Sequence, residues 1–313
     1  MSFTSEVKKE IALNELKNCC KKAELSALIQ LCSTLSISAG LGMTLLVKTE
    51  NAAVARRILA LLKEMYDTDV DVSVFRKMNL KKNNIYRLRI LKNVKDILED
   101  LGLHSSRGWL DYPLARIVQK DCCARAYLAG AFMAVGSVND PSKANYHLEI
   151  AVSNERHANF VNKLMTRYGF EGKIIERRNA YVIYLKQANK IGDFLKCIGA
   201  SATYYTFEDI LINRKFVNDL YRANNCEIAN EVKTQTAASS QMEDIRILEE
   251  NSLVTTLDSK LRQVIAIRKK FPDLSLKELC DEMENEYGVP ISKSGMKHRF
   301  VKIHELALEA KGE

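Results

Sequence analysis

The chain has 313 residues, with 47 Lys and Arg against 39 Asp and Glu, a formal charge of +8, and 47% apolar residues. That apolar content excludes a disordered chain, the 13 Gly and 4 Pro exclude a collagen-like or low-complexity one, and the length allows more than one core. The positive excess favours polyanionic partners, although solvated surface lysines would give the same total.

At the start, Lys8, Lys9, Glu10, Glu15 and Lys17 interrupt any apolar run, so no secretory signal is expected. Eight cysteines in such a chain read as reduced thiols of a cytoplasmic protein. A vicinal pair, Cys19-Cys20, is followed after four residues by Leu25-Ser-Ala-Leu-Ile-Gln-Leu-Cys-Ser33. Further on, Cys122-Cys123 is followed after four residues by Leu128-Ala-Gly-Ala-Phe-Met-Ala-Val-Gly136. The offset is 103 throughout (122 − 19, 128 − 25, 136 − 33), so a duplicated unit is expected to fill about residues 1–200. The stretch Leu25 to Val47 carries no charge and is long enough for a membrane span. Ser26, Gln30, Ser33, Thr34, Ser36, Ser38 and Thr44 argue instead for a buried helix, a turn near Gly40 to Gly42 and a strand. The cysteines lack C-x-x-C spacing, and vicinal pairs are poor geometry for chelating one zinc. The two pairs could still meet at equivalent repeat positions. Cysteine is read here as a small buried hydrophobe, with no metal and no cofactor assigned.

Each copy continues in parallel. Extended segments are predicted at Met43 to Lys48 and Tyr146 to Ser153. Amphipathic helices follow, carrying Ala53, Ile58, Leu61, Leu62 and Met65 in one copy and Phe160, Leu164 and Met165 in the other. Second hairpins end in strands Ile85 to Ile90 and Ala180 to Leu185, and the next helices stop at Gly102 and Gly199, placed as C-terminal caps. Within the hairpins, Arg76, Lys77, Lys81 and Lys82, and Lys173, Arg177 and Arg178, either track phosphates or remain solvated. Each phosphate contact would steepen the salt dependence of DNA binding by about 0.9.

Residues 205 to 250 lack Pro and Gly and read as helical, with Phe207, Ile210, Leu211, Phe216, Val217 and Leu220 on an apolar face. Asn224-Asn225 suggests a helix break or hydrogen bonding to a polar partner, because asparagine is a mediocre helix former. Asn213, Arg214, Lys215 and Arg222 are secondary candidates for nucleic-acid contact in a segment otherwise serving as a linker.

Three short helices are predicted beyond it. The first carries Leu257, Leu261, Val264, Ile265 and Phe271. Ser275 caps a second with Leu276, Leu279, Cys280 and Met283, Gly288 and Pro290 punctuate, and Ser292 caps a third with Met296, Phe300 and Ile303. This is the pattern of a helix-turn-helix. The second helix carries Glu278, Asp281, Glu282, Glu284 and Glu286, whereas Ser292 to His304 has Lys293, Lys297, Arg299 and Lys302 and no acid. With Met296, Phe300 and Ile303 inward, Ser294, Lys297, His298, Val301 and Lys302 turn outward as groove candidates. Ser292, Lys293 and Arg299 flank them and suit phosphates. The alternative is a basic amphipathic helix packed on a partner protein. His298 and His304, on opposite sides of this helix, have no ligand-spaced neighbours and read as contact or surface residues.

The segment Leu128 to Gly136 resembles the signature helix of the LAGLIDADG homing endonucleases, DNA-cutting enzymes built from two αββαββα halves. The small residues Ala129, Gly130, Ala134 and Gly136 would let two motif helices approach closely. Cleavage in that family needs a carboxylate just before the final glycine of each motif, to hold divalent cations. Those positions are Cys32 and Val135, and neither binds magnesium. The nearest following carboxylate, Asp140, lies in the turn signature Asn139-Asp140-Pro141. A non-catalytic scaffold is therefore expected rather than an active endonuclease.

Tyr127-Leu-Ala-Gly-Ala-Phe-Met-Ala-Val-Gly-Ser-Val138, Tyr146-His-Leu-Glu149, Asn213-Arg214 through Arg222-Ala-Asn-Asn-Cys-Glu-Ile-Ala-Asn230, and Ser292-Lys-Ser-Gly-Met-Lys-His-Arg299 together resemble the WhiA regulators over nearly the full length. The resemblance implies an α+β fold: a duplicated LAGLIDADG-like domain at 1–203, a helical linker at 204–251 and an all-α helix-turn-helix domain at 252–313. It also implies a sequence-specific transcriptional regulator, not an enzyme, tied to sporulation or to cell division and chromosome segregation. Its partners would be double-stranded DNA and, since the family's helix-turn-helix is similar to a promoter-reading domain of sigma factors, RNA polymerase or other regulators. No membrane partner is implied, and the location would be the cytoplasm, at the nucleoid. Internal pseudo-symmetry makes a monomer the expected state. An interaction adaptor whose N-terminal saddle binds protein is the competing class.

Overall fold

The computed structural model describes residues 2–38, 42–76, 84–143 and 145–312 and divides into two compact units, Met1–Asn213 and Arg214–Glu313. In the first unit, α1 (Phe3–Ile11) precedes two copies of one topology. The first copy runs α2 (Asn18–Cys32), β1 (Ser33–Ser38), β2 (Gly42–Thr49), α3 (Ala52–Met65), β3 (Val70–Arg76), β4 (Asn84–Ile90) and α4 (Val94–Asp100). A short hairpin, β5 (His104–Ser105) and β6 (Gly108–Trp109), leads to the second copy. That copy runs α5 (Asp121–Val135), β7 (Gly136–Val138), β8 (Leu148–Val152), α6 (Glu155–Thr166), β9 (Lys173–Arg177), β10 (Ala180–Leu185) and α7 (Ala188–Cys197). Both sheets are antiparallel and share one order, β1-β2-β4-β3 and β7-β8-β10-β9.

The repeat extends to the details that start and stop each helix. Asn51 caps α3 by accepting from the Ala53 and Val54 amides, and Asn154 caps α6 by accepting from the Arg156 amide. The closing glycines Gly102 and Gly199 have φ of 69° and 85°, and each sits in a paired 5→2 and 6→1 hydrogen-bond arrangement, such as Gly102 N to Glu99 O and Leu103 N to Leu98 O. The offset shortens only after β9, where a two-residue turn, Arg178-Asn179, replaces the longer connection at 77–83. Both turn residues have positive φ, 51° and 62°, the backbone that a two-residue hairpin requires.

The motif helices α2 and α5 pack on one another at the centre of this unit. A Cβ added at Gly130 would stand 2.5 Å from the Glu24 carbonyl oxygen and 2.9 Å from the Ala27 Cβ, so the close approach depends on glycine there. Leu25, Ala27, Leu28 and Ile29 of α2 and Leu128, Ala131 and Phe132 of α5 belong to one core, all fully buried. The uncharged run from Leu25 is therefore core helix and strand; its expected turn falls largely on 39–41, outside the described residues. No helix among the described residues is long and apolar enough to cross a membrane. The Thr4 hydroxyl donates to Val138 O (2.7 Å), closing α1 onto the second copy, and the Glu10 carboxylate accepts from the Ala202 and Thr203 amides at 2.6 and 2.9 Å, at the start of the helix that follows that copy.

The helix α8 (Ser201–Glu250) is continuous. The expected break at Asn224-Asn225 is absent, because the propensity deficit of asparagine is only a few tenths of a kcal/mol, roughly, and both side chains face solvent. The expected apolar face also divides. Phe207 joins the core of the first unit, whereas Phe216, Val217 and Leu220 are exposed at 64, 44 and 55%. Ile245, Ile247 and Leu248 belong to the core of the second unit, so the segment read as a linker begins and ends in packed structure.

In the second unit, α9 (Ser259–Lys270), α10 (Leu276–Tyr287) and α11 (Lys293–Lys311) follow. Asp258, Ser275 and Ser292 cap them, Ser275 in a reciprocal capping box with Glu278. Gly288 ends α10 with φ 65°. Val264, Ile267, Leu279, Met283, Met296, Phe300 and Ile303 form the core. The third helix runs past the expected end at His304 and takes in Glu305 and Glu309.

Candidate nucleic-acid interface

The cap that starts α11 also shapes its exposed end. Ser292 Oγ accepts from the Gly295 amide (3.1 Å) and lies 3.0 Å from Ser294 Oγ. With Met296, Phe300 and Ile303 buried, Ser292, Lys293, Ser294, Lys297, His298, Val301 and Lys302 are all exposed. Arg299 departs from this set: it is half-buried, and its Nη1 is enclosed with no hydrogen-bond partner among the described residues. Lys302 reaches Glu305 at 3.3 Å. The acids of α10 are partly engaged elsewhere, Glu278 in its cap and Glu286 with Lys270 at 2.9 Å. His304, read as a surface residue, is half-exposed but bonded through Nδ1 to the buried Asp244 on α8 (2.9 Å).

Arg268 was hidden in the sequence beside Lys269 and Lys270 as one more base. It is only 1% exposed. Its Nη1 donates to Leu274 O (2.6 Å) and Pro272 O (3.2 Å), its Nε donates to Gln241 Oε1 (3.0 Å), and its guanidinium stands 5.5 Å from the Phe300 ring. It thereby fixes the loop before α10 and the buried side of α11. Burial pushes its pKa down, but a guanidinium remains charged.

In the second sheet, Lys173 and Arg177 pair in register with Tyr184 and Ala180, on the face opposite the buried Leu148, Ile150 and Ile183. Arg178 stands at the hairpin turn. In the first sheet Arg76 ends β3, while Lys77, Lys81 and Lys82 lie outside the described residues. Arg76 shares the face of Leu88 and Ile90, and the opposite, outward face carries residues the sequence reading passed over: Lys48 opposite Arg87, and Leu46 opposite Arg89. The Arg87 guanidinium sits 4.0 Å over the Phe75 ring. Their signal was the alternation Arg87-Leu88-Arg89, in which only Leu88 is buried. On α8, Asn213, Lys215 and Arg222 are exposed, Arg214 is half-buried, and Arg222 approaches Asp219 at 3.9 Å.

Cys32 and Val135 are the last residues of α2 and α5. Burial pushes the Cys32 thiol up to about 12 and the ammonium of Lys8 down to about 8. Asp140 accepts from the Ser142 amide (2.9 Å) and hydroxyl (2.7 Å), which clasps its own turn. At the opposite ends of the motif helices the two vicinal cysteine pairs converge. The Sγ atoms of Cys19, Cys20, Cys122 and Cys123 all lie within 4.8 Å of one another. The sequence alternative in which the two pairs meet is the one observed, because the repeat axis, not local spacing, brings them together.

Two αββαββα halves packed through their motif helices, followed by a capped three-helix unit, define a LAGLIDADG-like protein with a helix-turn-helix. Residues 18–104 match the WhiA N-terminal LAGLIDADG-like domain, 124–217 the WhiA LAGLIDADG-like domain and 220–307 the WhiA C-terminal HTH domain. The chain belongs to the WhiA family. It is 44% identical over 308 residues to the probable cell division protein WhiA of Brevibacillus brevis, covering 98% of this chain and 96% of that one, and the same figures hold for the Bacillus cereus protein. Its fold is that of full-length WhiA from Thermatoga maritima, with a TM-score of 0.59 at 23% identity over 99% of both chains.

Proposed function

We propose that this chain is a sequence-specific DNA-binding regulator in which α11 reads the duplex and the duplicated domain is a scaffold without nuclease activity. The observation that carries this reading is the exposed face Ser292–Lys302, with three lysines at the start of a capped helix and no acid among them. Recognition helices meet base edges near their N-terminal ends, so Ser294, Lys297 and His298 suit the groove first, with Val301 and Lys302 further along the same face, while Lys293 and Arg299 suit phosphates. The naming of relatives as probable cell division proteins supports division as the controlled process. Roles in sporulation or chromosome segregation, a place at the nucleoid and contact with RNA polymerase extend the same reading. The absence of carboxylates at Cys32 and Val135 supports the scaffold role.

The test uses the full chain and DNA fragments that co-purify with it. Lys297→Ala should weaken binding by about 1 kcal/mol or more, roughly fivefold. Unchanged affinity at moderate salt would remove α11 from the reading. Supercoiled plasmid with magnesium should stay uncut; nicking that disappears in Asp140→Asn would overturn the scaffold role.

A second reading, an adaptor that binds protein, is favoured by one observation. The strand β3, at the edge of its sheet among the described residues, exposes Val72 and Val74 on one face at 52 and 55% and Phe75 on the other at 45%. An intact chain without salt-dependent DNA affinity would favour it.

A further inference from the structure

We propose that Cys19, Cys20, Cys122 and Cys123 form a tetrathiolate site for one thiophilic divalent ion, with zinc the expected occupant. Within each pair the sulfurs are 3.9 Å apart, and all four lie within 4.8 Å of one another. Four thiolates at about 2.3 Å from a tetrahedral ion stand about 3.8 Å apart, so the pairs already have the needed spacing and the longest separation closes by about 1 Å. A multi-iron cluster would force the sulfurs further apart than this cage allows. Soft sulfur donors and tetrahedral geometry select zinc over the oxygen-seeking magnesium or calcium.

The surroundings supply what a dianionic centre requires. Both helices that carry the pairs start without a side-chain cap, behind Lys17 and Lys120, whereas α3 and α6 are capped by Asn51 and Asn154. Cys19 and Cys20, and Cys122 and Cys123, occupy those first turns, where the positive ends of two helix dipoles favour thiolate sulfur. A cleft of about 860 Å³, lined by Lys22, Arg116 and Lys120 and by Glu64 and Asp100, reaches Cys19 and Cys123 and gives a cation a way in. Without an ion, burial pushes the thiols of Cys20 and Cys123 up to about 12, and the Cys123 thiol donates to Cys19 O at 3.5 Å. Loading exchanges four S–H bonds for four metal–sulfur bonds and releases four protons to solvent. The ion would join the starts of α2 and α5 and so tie one repeat to the other.

The experiment takes the full chain purified under reducing conditions without added metal or chelator. One equivalent of zinc per chain is expected, and cobalt(II) exchanged into the protein should give the charge-transfer and ligand-field bands of a tetrahedral tetrathiolate. Cys20→Ser/Cys123→Ser should lose both, whereas Cys226→Ser and Cys280→Ser keep them. A strong chelator should lower the Tm of the unaltered chain by about 5 °C or more, a readout that does not depend on the variant folding. A reduced, metal-free chain that binds no cobalt would overturn the proposal. So would a disulfide among these four cysteines in the freshly purified protein, or cobalt bands that survive in the double variant.

Discussion

The two copies solve one packing problem with different chemistry. Glu24 on α2 and Arg57 on α3 form a buried ion pair at 2.6 Å, with Glu24 only 1% exposed. At the same offset of 103, the second copy has Tyr127 and Phe160, whose rings meet edge to face at 5.5 Å, and His157 in place of Val54. The Tyr127 hydroxyl and His157 Nε2 are 2.8 Å apart. The first copy thus holds a charge pair whose solvation loss is recovered only through mutual contact. Burial pushes the Glu24 carboxyl up against the pull of Arg57, and Arg57 Nη2 is enclosed with no hydrogen-bond partner among the described residues. The second copy buries rings and keeps one neutral hydrogen bond. Duplicated backbones therefore preserve where a contact must be made without preserving how.

Breaking the charge pair should cost most. Glu24→Ala leaves Arg57 buried and unpaired, and denaturant unfolding should show a loss of about 3–5 kcal/mol. The matching truncation Phe160→Ala removes rings but no charge, so a loss from Glu24→Ala smaller than one from Phe160→Ala would end the distinction drawn between the copies.

Acid should act through the second copy. Burial lowers His157 to about 4, from about 6.5 when unfolded, so below pH 6.5 the unfolded chain binds the extra proton. Stability should then fall by about 3 kcal/mol as pH drops from 6.5 to 4, and the His157 contribution is constant above that window. Melting curves of His157→Phe should lack that slope; an unchanged slope would assign the acid sensitivity to other groups.

The interface glycine tests the symmetry itself. Gly130 is the counterpart of Ala27, and Gly130→Ala drives a methyl toward the Glu24 carbonyl. A loss of about 1–3 kcal/mol is expected by thermal unfolding, against about 1 kcal/mol for the reverse change Ala27→Gly. Equal costs would mean that the helices readjust freely. Smallest of all, Tyr127→Phe deletes one partner of a buried hydrogen bond and should cost about 1 kcal/mol, read from the denaturant midpoint.

The duplicated fold was legible because helix starts, strand alternation and closing glycines are local signals, and they recur at one offset. The outward face of α11 was legible for the same reason: Met296, Phe300 and Ile303 fix its rotation. Arg268 and the Glu24–Arg57 pair were not legible, since a basic or acidic residue on a helix reads as solvated until the fold brings its partner from far along the chain. The cysteine cage lies between these cases. The repeat announced the pairs, but only packing of α2 on α5 brings them within 4.8 Å. Asn224-Asn225 misled in the other direction, because local propensity is too weak to end a helix that both flanks continue.

The contact between α2 and α5 also bears on how the molecule assembles. It joins segments about a hundred residues apart, so the loop between them must close before the burial of either helix is rewarded. During synthesis, α2 emerges with the face around Ala27 uncovered, and that face waits for the whole first copy, the β5–β6 hairpin and α5 to follow. The first copy is therefore an incomplete folding unit with an apolar helix face exposed, and the second copy is the element that ends its vulnerability to aggregation.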